Sequence, residues 1–93
     1  MKDLPAEVLH AVELKLDDVE QQLREMPLAT ILSKEDLEWS FGLGDGWHMF
    51  AEINRKTAVL EPSGLHLDLR VSAGRRLARP RTSRRVHLKR TST

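Results

Sequence analysis

The chain has 93 residues, of which 40% are hydrophobic and 31% charged, with a net charge of +1 and no cysteine. A chain of this size and composition is typical of one small folded domain, and the absence of cysteine excludes disulfides, thiolate metal sites and cysteine nucleophiles. It has neither the apolar region of a signal peptide nor 18 consecutive apolar residues. We therefore expect a cytoplasmic protein without membrane contact.

The first predicted element is an amphipathic helix. Asp3 is a residue type that caps helices, Pro5 suits the first helical turn, and Pro27 lacks the amide donor that a continuing helix needs. Apolar residues recur at steps of three and four, which is the a/d seam of a heptad repeat. The seam either packs on the chain's own sheet or binds a partner or a second copy of the chain. The residues assigned to partner binding are Leu9, Val12, Leu16, Val19 and Leu23.

Beyond the helix, the hydrophobic period changes to two, which is typical of strands with one buried face. The predicted strands cover 37–43, 47–53, 57–60 and 65–71, and the turn-forming segments between them are 44–46, 54–56 and 62–64. The apolar run 28–32 is interpreted as a strand or an extended link. This pattern predicts an α+β domain over residues 1–71, in which the N-terminal helix packs on an antiparallel meander of three to four strands.

The aromatic residues lie close together in the sequence. Trp39, Phe41 and Trp47 fall on the apolar phase and are expected to fill the core. Phe50 falls on the opposite phase, so its ring faces either a partner or a covering segment, and we prefer the covering segment.

Residues 72–93 are predicted to form a flexible basic tail. All 14 acidic residues and six of the 15 basic residues lie within 1–69, a formal charge of −8, whereas nine basic residues and no acid lie within 70–93. Because arginine presents a planar fork of donors to phosphate oxygens, the tail is predicted to bind RNA or DNA in a salt-sensitive manner. In an alternative, the acidic domain masks the tail. The assigned nucleic-acid-binding residues are Arg75, Arg76, Arg79, Arg81, Arg84, Arg85, Lys89 and Arg90.

Two histidines raise the question of catalysis or metal binding. His48 and His66 fall on the polar phase of predicted strands, which also carries Glu52 and Asp68. Imidazoles beside carboxylates can bind a divalent metal or act as acid and base. Their spacing matches no compact motif, and solvated surface histidines explain it. We therefore predict no catalytic residue, no metal and no cofactor.

The sequence thus predicts a small non-enzymatic binding protein whose tail contacts nucleic acid and whose domain dimerises or docks a partner. One alternative is a protein-interaction or inhibitor module, antitoxin-like or phage-like, whose tail folds on an acidic protein. A second is a small RNase-like enzyme in which His48 or His66 acts while tail arginines hold the phosphate. No residue pattern in the chain matches a family signature.

Overall fold

The structure is a computed structural model that describes residues 4–33, 37–75 and 81–89. Its elements in chain order are α1 (Ala6–Glu25), α2 (Leu28–Ser33), β1 (Glu38–Gly44), β2 (Trp47–Glu61), β3 (Gly64–Arg75) and β4 (Arg81–Lys89). The strands form one antiparallel sheet in the order β1-β2-β3-β4. The predicted α+β class, with an N-terminal helix on a small antiparallel meander, is confirmed.

Helix α1 begins and ends beside prolines. The carbonyl of Pro5 accepts the first helical hydrogen bond, from the amide of Leu9 at 2.9 Å. The predicted cap Asp3 lies outside the described residues. At the other end Met26 is extended, because the residue before a proline is disfavoured in the helical region. The run 28–32 then begins α2, so our expectation of a strand or an extended link there is wrong.

The seam of α1 packs on one face of the sheet. Val12, Leu16, Val19 and Leu23 are each at most 5% exposed, and Leu9 is partly buried against the same core. Their neighbours in the core are the inward side chains of β3 and β4: Leu65, Leu67, Leu69, Val71, Val86 and Leu88. The side chains that we assigned to partner binding therefore contact the chain's own sheet, as the core-packing interpretation requires.

Strand β2 runs through the segment 54–56, where we predicted a turn between two strands. Asn54 pairs with Asp68 and Val59 pairs with His66, so four residues of β2 lie opposite the single residue Leu67 of β3. The side-chain oxygen of Asn54 accepts a hydrogen bond from the amide of Lys56 at 3.2 Å, which closes the extra residues locally. The segment is therefore a bulge within one long strand.

The basic segment differs most from its prediction. Residues 72–75 extend β3, and residues 81–89 form β4, which pairs with β3 at nine positions from Ser72–Arg81 to Gly64–Lys89. The expected flexible tail is therefore wrong for these residues. Val86 and Leu88 are at most 2% exposed, and β3 supplies the backbone partners that a single segment lacks. Three of the assigned basic residues, Arg76, Arg79 and Arg90, lie outside the described residues.

Candidate binding site on the open sheet face

The two faces of the sheet have different surroundings. Both helices pack on the inner face, against side chains such as Leu67 and Leu69. Directly paired residues of neighbouring strands share a face, so the register defines the opposite side, which we call the open face. Its residues are Glu38, Ser40 and Gly42 of β1, His48, Phe50, Glu52, Asn54, Val59 and Glu61 of β2, Gly64, His66, Asp68, Arg70, Ser72 and Gly74 of β3, and Ser83, Arg85, His87 and Lys89 of β4.

A shallow groove crosses the open face on both sides of Phe50. The part toward β1 has a volume of about 360 Å³, and the part toward β4 about 330 Å³. The ring of Phe50 borders both parts, because its neighbours across the strands are the small residues Ser40 and Ser72. In the described part of the chain no helix or strand covers this ring, so the covering segment that we preferred from the sequence is not found there.

Charge on the open face differs between its two halves. The β1–β2 half carries the acids Glu38, Glu52 and Glu61. The β3–β4 half carries the cations Arg70, Arg85 and Lys89 and one acid, Asp68. Arg70 Nε lies 3.7 Å from Glu52 Oε1, with side-chain exposures of 53% and 37%. An ion pair this exposed contributes little stability and leaves guanidinium donors available to a ligand.

The edge strand β4 presents a basic row on the open face. Ser83, Arg85, His87 and Lys89 alternate with the inward residues of β4, and Arg81 takes the next register position in the row, opposite Ser72. Alternate residues of a strand are about 6.8 Å apart, so the row extends over about 27 Å. Arg85 Nη1 lies 3.4 Å from Asp68 Oδ1 of β3. None of the positions in this row holds an acid.

Two of the predicted nucleic-acid-binding residues have donors that serve the fold itself. Arg84 points inward at the edge of the core, where its Nε lies 3.0 Å from Glu20 Oε1 of α1. Arg75 donates two hydrogen bonds, of 2.9 and 2.7 Å, to the carbonyl of Asp45, and its guanidinium lies 5.2 Å from the ring centre of Trp47. These contacts hold β4 to the helix and the end of β3 to the β1–β2 turn.

The structure separates the two histidines that we considered together from the sequence. His48 lies beside Gly74, whereas His66 lies eight residues earlier on β3, about 27 Å away. This distance is too large for joint action on one small reacting group. His66 instead stacks on His87, with ring centres 3.9 Å apart and planes at 11°, and its Nε2 lies 3.3 Å from Glu61 Oε2. Sequence reasoning missed this pair because it placed His87 in a flexible tail.

The described residues give little support for a metal site or a membrane-spanning helix. No three histidine, aspartate or glutamate side chains there are close enough together to hold a metal ion. Neither of the helices there is both long and apolar enough to cross a membrane. Comparisons of the chain with protein-family models, with curated proteins and with solved structures gave no match. The open face, with its groove and its basic row, is therefore the candidate binding site.

Proposed function

We propose that the protein is a non-enzymatic nucleic-acid-binding protein of the cytoplasm, whose ligand lies along β4 and reaches the groove beside Phe50. The observation that carries this proposal is the row of outward positions on β4, in which every residue is basic or uncharged. Arg85 and Lys89 are four residues apart, about 13.5 Å along the strand. Two such cations on one line suit a ligand with phosphates at regular intervals.

The charge of the open face supports one orientation of the ligand. Glu38, Glu52 and Glu61 repel phosphates from the β1–β2 half. On the β3–β4 half the three cations Arg70, Arg85 and Lys89 outnumber the single acid Asp68 and attract phosphates. A phosphate backbone along β4 places its bases toward the groove. A phosphate displaces the paired carboxylates from Arg70 and Arg85, because ion pairs exposed to solvent are weak compared with bidentate contacts to phosphate.

The groove favours a single-stranded nucleic acid over a duplex as the ligand. Phe50 carries the phenyl ring of the open face, and this ring is half-buried between small residues that leave space beside it. An aromatic ring on a sheet stacks on an unpaired base, which a single strand offers and an intact duplex does not. We therefore propose single-stranded RNA or DNA as the ligand.

The test is fluorescence anisotropy with a labelled single strand, a matched duplex and a series of salt concentrations. The double variant R85Q/K89Q removes the two described cations of the β4 row. The control R24Q/K56Q removes the same charge from exposed positions on α1 and the β2 bulge. Substitutions are preferable to a truncation at residue 71, since that truncation would remove β4 and expose Leu65, Leu67 and Leu69.

We expect R85Q/K89Q to reduce the log–log salt slope for the single strand by about 1.4, because each contacted phosphate contributes about 0.7. The control variant should keep the wild-type slope within about 0.3. Equal losses in both variants would mean that net charge alone drives binding, and this would overturn the proposed site. Failure of the wild-type protein to bind at about 100 mM salt would overturn the function and leave an acidic protein as the partner to seek.

A further inference from the structure

A second cavity lies on the inner face of the sheet, beneath α2, and is separate from the open face. Its volume is about 180 Å³. Ile31 of α2 and Leu65 and Leu67 of β3, each at most 1% exposed, form its deepest walls. Ile53, Ala58 and Leu32 complete an apolar lining around one charged side chain, that of Arg55.

The cavity owes its existence to the bulge of β2. Four residues between Asn54 and Val59 lie opposite Leu67 alone, so β2 has no regular pairing with β3 at this point. Hydrogen bonds within the bulge hold its extra residues in place, including one of 3.1 Å from Thr57 Oγ1 to the carbonyl of Asn54. Arg55 and Ala58 belong to this bulge and line the cavity. Bulges commonly aim side chains at functional sites.

Arg55 lines the cavity, and one donor of its guanidinium has no partner in the described part of the chain. Its Nη1 donates to the carbonyls of Ile31 and Leu32 at 2.8 and 2.7 Å, which fastens the end of α2 to β2. Its Nη2 is buried and has no hydrogen-bond partner among the described residues. A buried cationic donor without an acceptor costs free energy, which a turn of the guanidinium onto an anionic oxygen would recover.

We propose that this cavity binds a small carboxylate with a compact apolar body, of about the size of benzoate. An apolar cavity of about 150 Å³ accepts benzene, so about 180 Å³ leaves room for a ring with a carboxylate. The carboxylate pairs with the guanidinium of Arg55, which lines the cavity, in a charge-assisted contact. The body of the ligand contacts Leu65 and Leu67, and inorganic anions lack this contact. The proposal is independent of nucleic-acid binding at the open face.

The test is an NMR titration of the isotope-labelled full chain with benzoate, benzyl alcohol and acetate. Benzoate carries both the ring and the charge, whereas benzyl alcohol lacks the charge and acetate lacks the ring. We expect benzoate to bind at least about tenfold more tightly than either of the others, with shifts at the amides of Ile31 and Leu67. The proposal is overturned if benzoate gives no saturable shift up to about 10 mM, or if benzyl alcohol binds equally well.

Two variants test the position of the site. A58L fills the cavity with three additional carbon atoms, and A29L adds the same group to the exposed side of α2 as a control. We expect A58L to lose at least about tenfold in benzoate affinity, while A29L and wild type agree. Retention of wild-type affinity by A58L overturns the proposal. R55Q should reduce the benzoate affinity to that of benzyl alcohol, and A58L decides the outcome if R55Q fails to fold.

Discussion

Arg84 Nε lies 3.0 Å from Glu20 Oε1, and this ion pair joins the edge strand β4 to helix α1. Nη2 of the same guanidinium lies 3.4 Å from Asp17 Oδ1. Part of the opposite charge in the two halves of the sequence is therefore neutralised within the fold. The association takes the form of a paired strand, because β3 provides a backbone partner for each residue of β4 from 81 to 89.

The first prediction concerns the strength of this ion pair. Glu20 is only 12% exposed and Arg84 35%, so a double-mutant cycle of E20Q and R84Q should give a coupling of about 1 kcal/mol in the free energy of unfolding. The matched cycle of E52Q and R70Q, on a more exposed pair, should give less than about 0.5 kcal/mol. Urea denaturation at low and high salt measures both. Equal couplings would show that the burial of Glu20 adds nothing.

The second prediction concerns Gly64, which allows β3 and β4 to approach each other. Its φ of 143° is unfavourable for other residues, and a Cβ here would overlap the carbonyl oxygen of Leu88. G64A should therefore destabilise the fold by about 3 kcal/mol or prevent folding. The control G42A adds the same methyl group at a position with nothing within 4 Å, so it should change stability by less than about 1 kcal/mol. Thermal unfolding of both variants distinguishes strain from a general effect of replacing glycine.

The third prediction distinguishes core packing of the α1 seam from a dimer interface. Leu23 is fully buried in the chain's own core, whereas Leu14 on the same helix is 53% exposed. L23A should cost about 3 kcal/mol of unfolding free energy, and L14A less than about 0.5 kcal/mol. Because the seam contacts its own sheet, the unfolding midpoint should not depend on protein concentration. A midpoint that rises with concentration in wild type but not in L23A would instead assign the seam to a dimer.

The elements that follow from local pattern were predicted well. The three–four spacing of Val12, Leu16 and Val19 predicts a buried stripe from the geometry of a single helix. The alternation of β3 from Leu65 to Val71 predicts a buried face from the geometry of a single strand. Both patterns come from the residues themselves, so a single sequence contains enough information to find them.

The elements that depend on distant partners were missed. β4 has only two inward apolar residues, Val86 and Leu88, and becomes a strand because β3 lies beside it. The polar residues of 54–56 predict a turn, but the long pairing on either side makes them a bulge. The cavity at Arg55 follows from that bulge and from α2 together, so no local pattern predicts it.

The fourth prediction concerns the stacked histidines of β3 and β4. The rings of His66 and His87 are parallel at 3.9 Å, and Nε2 of His87 is buried with no hydrogen-bond partner among the described residues. H87F keeps an aromatic ring on His66 and removes the unsatisfied nitrogen, so it should raise stability by about 1 kcal/mol. H87A removes the ring as well and should lower stability by about 1 kcal/mol. Thermal unfolding at neutral pH measures both, and a loss of stability in H87F would indicate that Nε2 has an acceptor.

The fifth prediction separates the contribution of Phe50 from that of the basic row. Stacking on a base is independent of salt, whereas contacts to phosphate determine the salt slope. F50L keeps an apolar side chain in the groove but removes the stacking ring, so it should weaken single-strand binding by about 1–3 kcal/mol and leave the slope unchanged.

Two controls complete this experiment. F41L makes the same change on the inner face, and R84Q removes an arginine that already pairs with α1. Neither should change single-strand affinity beyond about twofold, provided that the variants remain folded. If F50L lowered the slope together with the affinity, the ring would be positioning the cations rather than stacking on a base. If R84Q weakened binding as strongly as R85Q, the ligand would compete with Glu20 for Arg84. In the bound form, β4 would then be released from helix α1.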